Sequence, residues 1–263
     1  MTILIPQYRT ARRTSASSRP LDAWSGSLVC AYSTRQLLTS YTGALLRVRR
    51  SSDSTEQDIG QSGGLLDTAS LTSFVGAGTG SVVTWYDQLG SNNATGISSV
   101  PRIVITGTLQ QIAGNAHPAI YIATNDTAGF SGVPAPGSGV GRTVVSRMSI
   151  GSGGVGIIMS TASTGNFAGV YQNGSAAAVS GGTSSSAQYL DGVSATRDQA
   201  HDGLLTTDSV MACSFTTNTA WSSAEMFSYG VGVIPLAYCV DWVLFNSALS
   251  AGDVGTVSTL MGA

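Results

Sequence analysis

The chain has 263 residues, a formal net charge of -2, 42% hydrophobic and only 10% charged residues, and every one of its 12 Lys+Arg positions is an arginine. The absence of lysine excludes Schiff-base and Walker-type lysine chemistry. The near-neutral balance excludes a global field that would draw in nucleic acid, and no stretch approaches the roughly 18 apolar residues of a membrane span.

The start, "MTILIPQYRTARR", carries its arginines after a short apolar run instead of before it, so it does not read as a secretory signal. Residues 1–22 read as a basic arm without apolar periodicity, ahead of one large domain over 23–263. In that arm "TILI" is suited to adding a strand to a partner's sheet edge. Arg9, Arg12 and Arg13 are suited to anchoring it on the partner's carboxylates. The cysteines of "LVCAY", "MACSF" and "AYCVD" lie in apolar settings, which predicts buried reduced thiols and synthesis in a reducing cytoplasm.

Next, "STRQLLTSY" has the Ser-x-x-Gln spacing of a capping box and predicts a short helix from Ser33. "ALLRVRRSSDSTEQDIG" then crowds Arg47, Arg49, Arg50, Asp53, Glu56 and Asp58 into one stretch. Arg47 and Arg49 share a face of the strand "LLRVR", and a returning acidic segment would bring Asp53, Glu56 and Asp58 against them. Fork-shaped guanidinium groups match carboxylates two bonds at a time, so the stretch reads as a structural clamp. "GQSGG" has G-x-S-x-G spacing without the apolar strand that a nucleophile elbow requires, and reads as a glycine turn.

In "LDTASLTSFVGAG" a helix is predicted, capped by Asp67, stapled by Leu66 and Leu71, and ended by Gly76. "VVTWYDQLGSNNATG" predicts a strand followed by an Asx-type turn around Asp87. "GSGGVG" leads into another strand and reads as a hairpin connection. His117 and His201 have no second ligand at metal spacing, so no metal and no cofactor are expected. Near the end, "ALSAGDVGTVSTLM" predicts a helix capped by Ser250 and Asp253, with Val254, Val257 and Met261 along one face.

The remaining apolar stretches are strands rich in β-branched and aromatic residues: "LLRVR", "VVTWY", "RIVI", "AIYI", "TVVSRMSI", "GIIM", "AGVY", "AQYL", "SVMACSF", "AEMFSY" and "LAYCVDWVLF". So many strands with few helices predict an all-β, two-sheet sandwich of jelly-roll type. Glycoside hydrolysis would need two carboxyl groups across the sugar. The chain has two glutamates, and Glu56 sits among arginines. Glu225 and Asp241 are the acids placed within clear strand patterns and form the candidate catalytic pair.

"AYSTRQLLTSYTGALLRVRRSSDSTEQDIG" and "LDTASLTSFVGAGTGSVVTWYDQLGSNNATG" resemble the catalytic domain of family 54 α-L-arabinofuranosidases. They are similar also to arabinofuranosidase-like, concanavalin A-like proteins of phage and prophage genomes. The likeness continues through "PRIVITG", "NAHPAIYI", "QYLDGV" and "VDWVLFNSALSAGDV", covering roughly residues 28 to 262. It implies a concanavalin A-like jelly-roll sandwich, a catalytic glutamate in an acidic, asparagine-rich segment, and a vicinal disulfide. "GVYQNGSAAAVS" has no acid and no two cysteines are adjacent.

The resulting expectation is a non-enzymatic virion-surface protein of a tailed phage, serving as a capsid decoration, head fibre or tail adhesin. It would be made in the host bacterial cytoplasm and join other virion proteins through its arm as a homo-oligomer, with no nucleic-acid or membrane partner. Host cell-surface glycan would be a further partner, held by Tyr171, Asn173 and Trp221. The alternative is an arabinofuranosidase-like hydrolase acting on host polysaccharide through Glu225 and Asp241.

Overall fold

The computed structural model describes residues 18–97, 102–115, 117–122, 129–151, 156–160, 167–170, 183–205, 207–217, 221, 223–227 and 237–262. The strands are, in chain order, β1 (Leu28–Ser33), β2 (Leu46–Arg50), β3 (Glu56–Ile59), β4 (Gln61–Ser62), β5 (Leu65–Leu66), β6 (Thr79–Trp85), β7 (Ala94–Gly96), β8 (Arg102–Thr106), β9 (Thr108–Leu109) and β10 (Ile120–Ile122), followed by β11 (Phe130–Val133), β12 (Gly141–Ile150), β13 (Gly156–Ser160), β14 (Phe167–Val170), β15 (Thr183–Leu190), β16 (Val193–Ser194), β17 (Ser209–Thr217), β18 (Ala224–Met226) and β19 (Ala237–Phe245). The helices are α1 (Thr68–Val75), α2 (Arg197–Leu204) and α3 (Ala251–Gly262).

These strands pair antiparallel into two layers. One layer runs β16–β15–β17–β12–β19. On the far side of β19, β1 takes the C-terminal half and β10 the N-terminal half. The other layer runs β3–β2–β6–β7–β11–β18–β13–β14. Strand β8 bonds to both β6 and β10 and joins the layers at one side.

Period-2 alternation decides what lies between the layers. Cys30, Tyr32, Trp85, Phe130, Trp242 and Leu244 all point into the main core. The ring of Tyr32 lies 5.9 Å from Trp85 and 5.8 Å from Trp242, and Trp85 lies 5.6 Å from Phe130, so one aromatic chain ties β1, β19, β6 and β11 together. Burying each such ring contributes about 1.5–3 kcal/mol. The opposite face of β1 and β19 carries Ala31, Val243 and Phe245, which a second core covers with Val254, Val257 and Met261 of α3 and with Leu21, Leu37 and Leu38.

All eleven strand stretches read from the sequence fall on strands, and two of the helices stand where their caps put them. Asp67 accepts the N–H of Ser70 at 3.0 Å, and Gly76 closes α1 at φ +63. Ser250 accepts the N–H of Asp253 at 3.2 Å at the start of α3. The helix expected from Ser33 is absent: Ser33 completes β1, and its hydroxyl donates to Asp241 at 2.5 Å across the sheet. The Gln36 amide donates to the carbonyl of Tyr41 at 2.6 Å, and its oxygen accepts from Arg19 Nε at 2.9 Å, so both capping residues serve distant partners. Helix α2 is the unexpected one. Its capping box is Thr196–Gln199, with Thr196 N–H donating to the Gln199 side chain at 2.9 Å and Gln199 N–H to Thr196 Oγ1 at 3.3 Å.

The arm boundary also shifts. Leu21 is fully buried in the second core, and the Asp22 carboxylate accepts from Arg19 N at 2.7 Å and from Thr39 N at 2.7 Å. Residues 19–22 therefore pack on the sandwich. Arg9, Arg12 and Arg13 lie outside the described residues.

Candidate functional site

The charged stretch forms the β2–β3 hairpin at one edge of the second layer. Arg47 pairs with Asp58 at 2.8 Å, Arg49 with Glu56 at 2.5 Å and Arg50 with Asp53 at 2.7 Å, and the groups are partly exposed. Arg47 and Arg50 each place two nitrogens on their carboxylate. These hydrogen bonds hold the Asp53 and Asp58 carboxyls below the usual carboxylate range. Tyr86 donates its hydroxyl to Asp58 at 2.8 Å; its own ionisation is pushed up to about 12, by desolvation first and by that bond second. All acids of the hairpin are thus engaged in structural contacts.

Cross-strand register carries a polar row away from this hairpin. Asp58 stands opposite Arg47, Arg47 opposite Thr84, Thr84 opposite Thr95, and Thr95 opposite Ser131. Beyond β11 the register is irregular, with Phe130 opposite Met226 and Val133 opposite Ala224, which puts Glu225 against the Ser131–Gly132 bulge. Glu225 then stands opposite Ser160 of β13. Leu46, Trp85, Ala94, Phe130, Ala224, Met226 and Met159 alternate with these positions and point into the core. The row therefore faces away from the core, on the outer face of the second layer.

Glu225 is only 8% exposed, and its carboxylate makes no hydrogen bond or ion pair with another described residue. The backbone beside it is tightly constrained. Phe227 follows β18 at φ +51, a conformation that a bulky side chain adopts only under strain, and a Cβ at Gly129 would meet the Met226 carbonyl oxygen at 1.9 Å. Arg102 lies beneath this region, with its guanidinium 5.4 Å from the centre of the Phe130 ring and donating to the Val82 carbonyl at 3.1 Å. Burial lowers its pKa to about 10. At about 4.8 Å per strand, the five steps from β18 to β3 put Asp58 roughly 24 Å from Glu225.

Other residues singled out in the sequence have different places. Asp241 is fully buried, accepts from Ser33 and forms an ion pair with Arg35 at 2.8 Å. Arg35 and Arg147 both donate to the carbonyl of Met261 near the end of α3, and Arg147 pairs with Asp208 at 2.8 Å. Asp241 thus belongs to the polar cluster that fastens α3 to the first layer, and the Glu225–Asp241 pairing is corrected: the two lie on different layers. Trp221 is 5% exposed and stacked on Phe215 at 5.9 Å, a core position that corrects its reading as a glycan contact. Tyr171 and Asn173 fall outside the described residues. Asp87 accepts the backbone N–H groups of Ala31, Leu89, Ser91 and Asn92, an Asx-type turn that leaves the carboxylate no ligand to bind. His117 is partly buried, and desolvation first, with Arg35 and Arg147 next, lowers its pKa.

Two antiparallel layers, one with a hydroxyl-lined outer face, make up an all-β sandwich. The model of the family "Alpha-L-arabinofuranosidase B, catalytic" matches residues 23–221, and the chain belongs to that family. Among solved structures it is similar to an arabinofuranosidase complexed with arabinofuranosyl-α-1,2-xylobiose, at 14% identity and a TM-score of 0.61, over 93% of this chain and 65% of that one. It is similar also to a GH54 α-L-arabinofuranosidase soaked with a cyclic sulfate inhibitor, at 14% identity and a TM-score of 0.54, over 90% of this chain and 62% of that one. The chain thus spans a little under two thirds of the length of these relatives. No curated protein matches it. The family corrects the expectation of a non-enzymatic virion-surface protein: the matching model is that of a catalytic domain.

Proposed function

We propose that the chain is a glycoside hydrolase domain that releases α-L-arabinofuranosyl groups, with Glu225 as a reacting carboxyl. The match of a catalytic-domain model over residues 23–221 carries the hydrolase reading; Glu225 lies just beyond that match and enters on the geometry of the outer face. The outer face supports it with chemistry. Splitting a glycosidic bond develops positive charge at the sugar ring, and a carboxyl held beside it stabilises that charge or delivers the proton to the leaving oxygen. Glu225 is the carboxyl on this face without a structural partner among the described residues, and Thr84, Thr95 and Ser131 supply hydroxyls along the same row. A second carboxyl within about 5 to 9.5 Å is required. Asp58 is too far and already paired with Arg47, so it is not that second carboxyl.

The test is product analysis. Arabinofuranosyl-α-1,2-xylobiose incubated with the purified chain should yield free arabinose and xylobiose, resolved by chromatography. An unchanged trisaccharide over a range of pH would overturn the reading.

A further inference from the structure

A cavity lies away from Glu225, at the open edge of the sandwich where the β2–β3 hairpin meets α1. It has a volume of about 560 Å³ and is lined by Arg50, Gln57, Ala69, Ser70, Ser73 and Phe74. The local sequence explains why it is open and polar. Helix α1 turns Leu71 and Val75 into the core, which leaves Ala69, Ser70 and Ser73 facing outward as small side chains. Gln57 stands opposite Val48, on the side of β3 that faces this helix.

Arg50 is fixed at three points: Nε and Nη2 donate to Asp53 at 2.8 and 2.7 Å, and Nη1 donates to the Phe74 carbonyl at 3.1 Å. Its guanidinium also lies 5.0 Å from the centre of the Phe74 ring. A guanidinium has five N–H groups, so two remain without a protein partner among the described residues. The Gln57 amide and the Ser73 hydroxyl likewise have none. The Ser70 hydroxyl donates to Asp67 at 2.6 Å and keeps its acceptor capacity. The cleft therefore presents both donors and acceptors. Asp53 neutralises the charge of Arg50, which removes any preference for an anion. Donors and acceptors gathered around a guanidinium already fixed by Asp53 and Phe74, with no net charge, match a neutral polyhydroxylated ligand.

We infer that this cleft is a second carbohydrate-binding site, which holds a neutral, arabinose-bearing polysaccharide at the sandwich edge while the outer face acts on a side group. The identity of the sugar rests on the function proposed above; the existence of the site does not. The hairpin strand β3 and Glu225 are five strands apart on the second layer, so the two sites are separable by substitution.

The probe is affinity electrophoresis of the whole chain through gels containing soluble arabinoxylan, run beside initial rates on 4-nitrophenyl α-L-arabinofuranoside. The Gln57→Ala/Ser73→Ala double variant and, separately, Ser73→Trp, which fills the cleft, should weaken retardation roughly tenfold, about 1.4 kcal/mol. Both variants should keep the wild-type rate on the small substrate. Gln57 and Ser73 are exposed, and unchanged thermal unfolding is the control for folding. Wild-type chain that is not retarded, or variants retarded like wild type, would overturn the inference. Retardation sensitive to these variants in a chain that hydrolyses nothing would support the cleft while sinking the hydrolase reading.

Discussion

Glu225 and Asp241 look alike in the sequence, each a lone acid inside an apolar strand pattern. What separates them is a partner 206 residues away: the guanidinium of Arg35 lies against Asp241, and no cation lies against Glu225 among the described residues. Substitution should show the difference. Asp241→Ala leaves Arg35 buried without its counter-charge and should cost about 3–5 kcal/mol, read by chemical denaturation. Glu225→Gln preserves size and packing, and its unfolding midpoint should stay near wild type. Trp221 shows the same limit of sequence reading, since an aromatic in a Ser-rich stretch gives no sign of whether it stacks on a sugar or on Phe215. Trp221→Ala should destabilise by about 3–5 kcal/mol and leave arabinoxylan retardation in the gel unchanged. A loss of retardation with unaltered stability would return this residue to the surface.

At the scale of elements, local signals are legible where their partners are local. Asp67 and Ser250 cap their helices within three residues, and Asp67→Ala should cost about 1 kcal/mol, measurable by thermal unfolding. The Ser33–Gln36 signal fails because both side chains find stronger, longer-range partners in Asp241, Arg19 and Tyr41. Helix α2 is hard to see for the opposite reason: it has a valid cap at Thr196, but "RDQAHDGL" offers only Ala200 and Leu204 as apolar side chains. The hairpin carries a pH dependence of defined sign. Arg50 and Arg47 hold the Asp53 and Asp58 carboxyls below their ordinary range. Their contribution to stability is complete above the unfolded carboxylate range near pH 4 and is lost as the pH falls through the lower folded values. The melting temperature should therefore decline as pH drops below 4, and Asp53→Asn should make that decline shallower. Because the pairs are partly exposed, the effect is small and weakens with added salt.

For the whole molecule, the sandwich is legible because alternation and β-branched content are dense enough to mark most strands. Which face carries the polar row is not, because the row from Asp58 to Glu225 is assembled from six different strands by register alone. No window of sequence contains it. The expectation of a structural particle protein fails for a related reason. A single segment without an acid says nothing about an outer face whose carboxyl Glu225, without a partner among the described residues, stands on another strand.

The most direct measurement is the initial rate of 4-nitrophenol release from 4-nitrophenyl α-L-arabinofuranoside by the purified chain and by Glu225→Gln. A hydrolase that uses Glu225 releases nitrophenol as wild type, and the variant falls at least about a hundredfold while unfolding at the same temperature. Equal rates for the two proteins would remove Glu225 from the reaction, and no release by either would contradict the assignment of hydrolase function to this chain.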